Sequence, residues 1–156
     1  MRIIEKERLN YPAAFIWPFV VNPENFIKWN DKITRIEAGG EFKLGQQFAT
    51  GYRLSSNESQ CLTEVTALEE NRLLELRHSN CVSSKPGQPD GMEALERITL
   101  EEREGSTLVT KTVTVRNHRI PLLLLPLIWF VTRFGKPAGP SRLEQLCKSA
   151  KPAALS

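Results

Sequence analysis

Cysteine and histidine are scarce in this 156-residue chain, and their scarcity closes several routes to function. Cys61, Cys81 and Cys147 are widely spaced, with no C-x-x-C pair. His78 lies three residues before Cys81, but two neighbouring ligands do not make a metal site, so no metal is expected. An odd, scattered set of thiols fits reduced cysteines in a cytosol, and a cytoplasmic location is expected. The opening Met-Arg-Ile-Ile-Glu-Lys-Glu-Arg turns charged where an export leader needs its apolar region, so no export is expected. The chain also lacks a nucleophile elbow, a phosphate-binding glycine loop and a dinucleotide fingerprint, which counts against a cofactor-dependent enzyme; no cofactor is expected. Blocks of one charge are missing too. Its 21 basic and 18 acidic side chains are interspersed, and the net +3 argues only weakly for nucleic acid or anionic lipid as a partner.

Long hydrophobic runs are absent except for one. Residues 120–131, Ile-Pro-Leu-Leu-Leu-Leu-Pro-Leu-Ile-Trp-Phe-Val, carry no charge and no amphipathic alternation. As a helix they would reach roughly 18 Å, short of the ~30 Å hydrocarbon core of a bilayer, which excludes a transmembrane span. A segment apolar all round must be covered on every side. We read it as the start of a C-terminal helix wrapped by the preceding strands, with Pro126 kinking it or delaying its start. At this length and 40% hydrophobic composition, the chain suits one domain with a sizeable core, residues 1–150, followed by a tail at 151–156.

What is present elsewhere is punctuation. Residues 2–9 mix Ile3, Ile4 and Leu9 with five charged side chains, the pattern of an edge strand. Asn10-Tyr11-Pro12 opens a short apolar helix that Pro18 bends or shortens. Asn22-Pro23-Glu24 then restarts the chain with a cap, an N1 proline and an acid at the positive end of the helix dipole, predicting a second short helix through Trp29. From Ile33 onward the breaks at Gly39-Gly40, Gly45, residues 55–57, Glu69-Glu70-Asn71 and Gly105 separate segments rich in β-branched and aromatic residues. Residues 79–91 read as a loop long enough to be a lid or simply disordered. After a break at residues 135–140, Ser141-Arg-Leu-Glu144 reads as a capping box that restarts the C-terminal helix toward Leu143, Leu146 and Cys147.

Alternate residues of the strands give one inner face: Phe48, Thr50, Tyr52, Leu54; Thr63, Val65; Leu74, Leu76, His78; Met92, Ala94, Glu96, Ile98, Leu100; Val109, Lys111, Val113, Val115. The other face is mostly Thr, Glu and Arg. This is the alternation of an antiparallel meander packed on one side and solvated on the other.

Several of these landmarks resemble a known superfamily. Pro12-Ala-Ala-Phe-Ile-Trp-Pro18, then Asn22-Pro23-Glu24-Asn25-Phe26 and Trp29, resembles the opening pattern of START-like, or SRPBCC, proteins. Gly45-x-x-Phe48, Val65-Thr-Ala-Leu68 before the Glu-Glu-Asn-Arg turn, and Gly105-Ser-Thr-Leu-Val-Thr110 are similar to later landmarks of that superfamily. It includes polyketide cyclases and dehydratases, plant allergens of the Bet v 1 type and lipid-transfer domains. The resemblance implies an α+β helix-grip fold: a curved antiparallel sheet of six or seven strands around a C-terminal helix, with two short helices after the first strand and an apolar cavity between sheet and helix. It implies no single chemistry. The chain departs from the pattern at Glu70-Asn71, where many members carry a Pro-Pro turn, and at Pro121, Pro126, Pro137 and Pro140, which make the last helix irregular.

The candidate site follows from parity. His78, Glu96 and Lys111 point inward on three successive strands, and an ionised group alone in an apolar interior must shift its pKa or find a partner. Glu96 and Lys111 are expected to pair diagonally across a hairpin centred near Gly105, with His78 joining through ligand or water. Trp17, Tyr52, Leu76, Met92 and Val113, with Leu124, Ile128 and Trp129 from the last helix, are the candidate ligand contacts. The reading is a binder or transporter of a small hydrophobic ligand such as a lipid, isoprenoid or polyketide-like aromatic. The rival is a cyclase or dehydratase in which His78 or Glu96 moves a proton. A third class, favoured less, uses residues 120–131, ringed by Arg116, Arg119, Arg133 and Lys136, as an exposed membrane or partner surface.

Overall fold

A computed structural model describes residues 2–53, 58–83, 93–116 and 141–155 of the chain, without the side chains of 83 and 151–155. The elements run β1 (Arg2–Leu9), α1 (Ala13–Val21), α2 (Pro23–Trp29), β2 (Ile33–Ile36), β3 (Gln47–Arg53), β4 (Glu58–Glu69), β5 (Leu73–Ser83), β6 (Glu93–Arg103), β7 (Ser106–Arg116) and α3 (Arg142–Leu155). The seven strands form one antiparallel sheet in the order β1-β7-β6-β5-β4-β3-β2, curled into a half-barrel. The α+β helix-grip class and the two short helices after the first strand are as the sequence leads one to expect.

Local chemistry explains the boundaries. Pro12 stands at the N-cap of α1, and Glu102 Oε1 accepts from the Ala13 N–H at 2.6 Å, placing a carboxylate on the helix's unsatisfied donors. The helix continues through Pro18 and ends at Asn22, whose side chain caps α2 by accepting from the Glu24 N–H at 3.0 Å. Glu104 and Gly105, both at positive φ (53° and 78°), join β6 to β7 in a two-residue turn of the kind whose twist matches the flanking strands. Ser141 caps α3 through its Oγ, which accepts from the Glu144 N–H at 3.1 Å. The Ser141 hydroxyl in turn donates to Glu7 of β1, tying the helix to the sheet's edge.

Every described residue of the expected inner face is buried, from Phe48 on β3 to Val115 on β7. Two register irregularities interrupt β4, between Gln60 and Leu62 and between Val65 and Ala67, the kind of feature that bends a strand. Ile16, Val20 and Phe26 from α1 and α2, with Leu143 and Cys147 from α3, complete the core. Each fully buried aliphatic side chain contributes ~1.5–3 kcal/mol. Phe26, Trp29, Phe42 and Phe48 stack edge and face in sequence, at centroid distances of 5.2 to 5.7 Å, fixing α2 against β3.

Two expectations need correction. β5 runs on to Ser83, so residues 79–83 are strand and not loop; they pair with β4 through Leu62↔Ser79, Gln60↔Val82 and Ser59↔Ser83. Nor are all three thiols reduced. Cys61 and Cys81 meet across the β4 irregularity and form a disulfide, leaving Cys147 free and buried. Twenty residues separate the pair along the chain, so only the strand register brings them together. The cysteine argument for a cytosolic location falls with this pairing. Residues 120–131 lie outside the described residues, as do Leu54, Met92, Leu124, Ile128 and Trp129.

Candidate functional site

The strand register that buries the inner face also lines up its polar members. Thr63 sits directly opposite His78 across β4 and β5, while Glu96 pairs with Leu76 and Val113, one diagonal step from both His78 and Lys111. Glu96 and His78 have no solvent exposure, and Lys111 retains only 7%. The expected diagonal ion pair forms, with Lys111 Nζ 3.6 Å from Glu96 Oε2.

Asn30, which sequence reasoning did not single out, completes the site. It caps the C-terminus of α2 and is fully buried. Its amide donates from Nδ2 to Glu96 Oε2 at 2.7 Å and accepts at Oδ1 from Lys111 Nζ at 3.0 Å. The available signal was that a buried carboxylate and ammonium need more donors and acceptors than each other. On the far side, His78 Nε2 lies 3.3 Å from Glu96 Oε1, His78 Nδ1 lies 2.6 Å from Thr63 Oγ1, and Thr63 Oγ1 lies 2.7 Å from Thr50 Oγ1.

Donor directions follow from what Glu96 can do. An ionised carboxylate only accepts, so His78 presents Nε2–H to it, while the contacts from His78 Nδ1 to Thr63 and from Thr63 to Thr50 can each run in either direction. The cluster sets the ionised Glu96 beside the Lys111 ammonium, with His78 and Asn30 donating to the carboxylate. Burial alone would raise the Glu96 pKa; the hydrogen bond from His78, the electrostatic pull of Lys111 and His78, and the Asn30 amide outweigh it and lower it to about 2.

Aromatic rings close the flanks. Lys111 Nζ lies 5.8 Å from the Trp29 ring centroid, and the Trp29 indole N–H donates to Phe19 O at 2.8 Å, linking α1 and α2 to the charge. Tyr52 packs its ring on His78, centroids 4.7 Å apart, and its buried hydroxyl has no hydrogen-bond partner among the described residues. Leu76 and Val113 flank Glu96 on the inner face, as expected, while Trp17 is buried in the apolar core. Two open surface hollows lie elsewhere, one lined by Ala13, Asn71 and Glu102 and one by Arg8, Arg103 and Ser106. The opposite wall of the expected internal cavity, residues 120–131, is outside the described residues. Among the described residues no helix is long and apolar enough to cross a membrane, and no group of three side chains could hold a metal.

A curled sheet gripping helices over a buried polar cluster defines a helix-grip protein of the START, or SRPBCC, class. The chain belongs to the Activator of Hsp90 ATPase homolog 1-like protein family, whose model matches residues 10–122. Solved structures agree in fold. A conserved protein from Geobacillus kaustophilus is 13% identical, with a TM-score of 0.65 over 96% of this chain and 97% of that one. Ara h 8.0201 is 15% identical, with a TM-score of 0.59 over 96% and 98%. DynU16, from the dynemicin biosynthetic locus, is 16% identical, with a TM-score of 0.57 over 97% of this chain and 49% of that one. No curated protein matches at a significant level.

Proposed function

We propose that the protein binds a small, mainly hydrophobic molecule, of the lipid, isoprenoid or polyketide-like aromatic kind, against the concave face of its sheet, with the Glu96 cluster as the polar end of the site. One observation carries this: an ion pair with its hydrogen-bond partners is buried in a face otherwise mainly apolar. Stability does not account for it, because apolar side chains of similar volume generally hold a core as well as a buried ion pair does, or better. Small inner residues beside it, Thr50, Thr63 and Ala94, support the reading.

The same cluster argues against the proton-transfer rival. A general base works best with a pKa near the operating pH, and Glu96 is held far below that. Both His78 nitrogens are already engaged, by Thr63 and by Glu96. Native mass spectrometry of freshly purified protein, followed by extraction, tests the reading. We expect a small-molecule adduct that denaturation releases, or uptake of added 2-ethylnaphthalene. A bare mass throughout, with no uptake, contradicts it.

A further inference from the structure

Resting on that reading, we infer that the Tyr52 hydroxyl is the ligand's handle: it donates one hydrogen bond to a neutral acceptor oxygen of a ketone, ester or ether, so that the site takes neutral oxygenated hydrophobic molecules and rejects carboxylates. Thr50, Thr63 and His78 Nδ1 bond one another in a row, His78 Nε2 and Asn30 donate to Glu96, and Lys111 donates to Asn30 and ion-pairs with the carboxylate. Each hydrogen bond in this chain is satisfied inside the protein. Tyr52 OH is the exception: fully buried, on the inner face of β3, lying against the His78 ring, and without a partner among the described residues.

A buried hydroxyl left unpaired is a standing penalty that any acceptor brought to it relieves. A single O–H suits a carbonyl or ether oxygen, which one good donor can satisfy. It does not suit a carboxylate, which needs several donors or a counter-ion once removed from water. No counter-ion is free in the cluster, since Lys111 is already matched to Glu96. The acidic groups that act on the phenol, Glu96 and Asp31, add repulsion to any second anion; burial first, then these charges, hold the Tyr52 proton on its oxygen.

The experiment uses three naphthalenes of matched size: 2-acetylnaphthalene, 2-ethylnaphthalene and 2-naphthoate, titrated into the full chain and into Tyr52→Phe by calorimetry. In the wild type the ketone is expected to bind about fivefold more tightly than the hydrocarbon, the factor a hydrogen bond of ~1 kcal/mol gives, with naphthoate the weakest. Tyr52→Phe should erase the ketone's advantage while leaving the hydrocarbon within about twofold, the spread of a contact that loses no hydrogen bond. Ketone and hydrocarbon binding equally, a preference that survives Tyr52→Phe, or naphthoate binding tightest each overturns the handle and leaves the binding reading standing. If none of the three binds, the binding reading fails and the handle with it. Circular dichroism identifies an unfolded Tyr52→Phe, in which case Tyr52→Trp, whose indole N–H restores a donor, must still favour the ketone; its failure to do so also overturns the handle.

Discussion

Asn30 and Glu96 stand 66 residues apart in sequence and are joined by a buried 2.7 Å hydrogen bond, which fastens the end of α2 to the middle of β6. Because the same amide accepts from Lys111, removing it strips a partner from both members of a buried ion pair. Asn30→Ala should therefore lower unfolding free energy by ~2–4 kcal/mol, more than a surface cap would. Urea denaturation of the two proteins measures it; a loss under ~0.5 kcal/mol would mean that solvent replaces the amide.

Acid should weaken the fold through Glu96. Its folded pKa is depressed from 4.5 to about 2, so its contribution is fully present above pH 4.5 and is lost as pH falls toward about 2. The groups facing it are His78, Lys111, Asn30 and Tyr52. At ~1.4 kcal/mol per pKa unit, the loss is on the order of 3 kcal/mol. Glu7, at the α3 junction, acts with the opposite sign, because burial, though eased by the Ser141 hydroxyl, raises its pKa. Comparing unfolding of wild type and Glu96→Gln between pH 5 and about 2.5 isolates Glu96. The acid slope should flatten in the variant; an unchanged slope assigns the acid sensitivity elsewhere.

Tyr52→Phe should leave the free protein as stable as the wild type, or more so. The hydroxyl removed has no partner among the described residues, so its desolvation penalty goes with it and none of their hydrogen bonds is lost. Thermal unfolding checks this, and a destabilisation of ~2 kcal/mol or more would show that the hydroxyl is already satisfied within the protein.

Thiol titration tests the disulfide. Denatured without reductant, the chain should present one reactive thiol, Cys147; after reduction it should present all three. Reduction should also destabilise the fold by ~3 kcal/mol, the scale for closing a loop of this length. Three thiols without reductant would restore the sequence's expectation.

Most of the fold was legible because its signals are local. The Asn22-Pro23-Glu24 cap, the Ser141 to Glu144 box and the turn at Gly105 each carry their geometry in a few residues, and period-2 parity alone placed His78, Glu96 and Lys111 inside. What parity cannot supply is a partner from another element. Asn30 reads as an ordinary helix end, and Cys61 and Cys81 as unrelated thiols, until the β4 irregularity shifts the register that joins the latter. The end of β5 was misplaced because Ser79-Asn80 is turn chemistry, and Asn80 does take a positive φ of 49° within the strand.

Whether the concave face is a binding surface is most directly measured by filling it. Leu76 stands beside Glu96 at the middle of that face, and Ala94 lies opposite His78. The measurement is the dissociation constant of 2-ethylnaphthalene for wild type, Leu76→Trp and Ala94→Leu, with circular dichroism reporting the fold. The account predicts that each variant folds and binds at least ~10-fold more weakly, a loss of ~1.4 kcal/mol. Folded variants that bind as tightly as the wild type would contradict it.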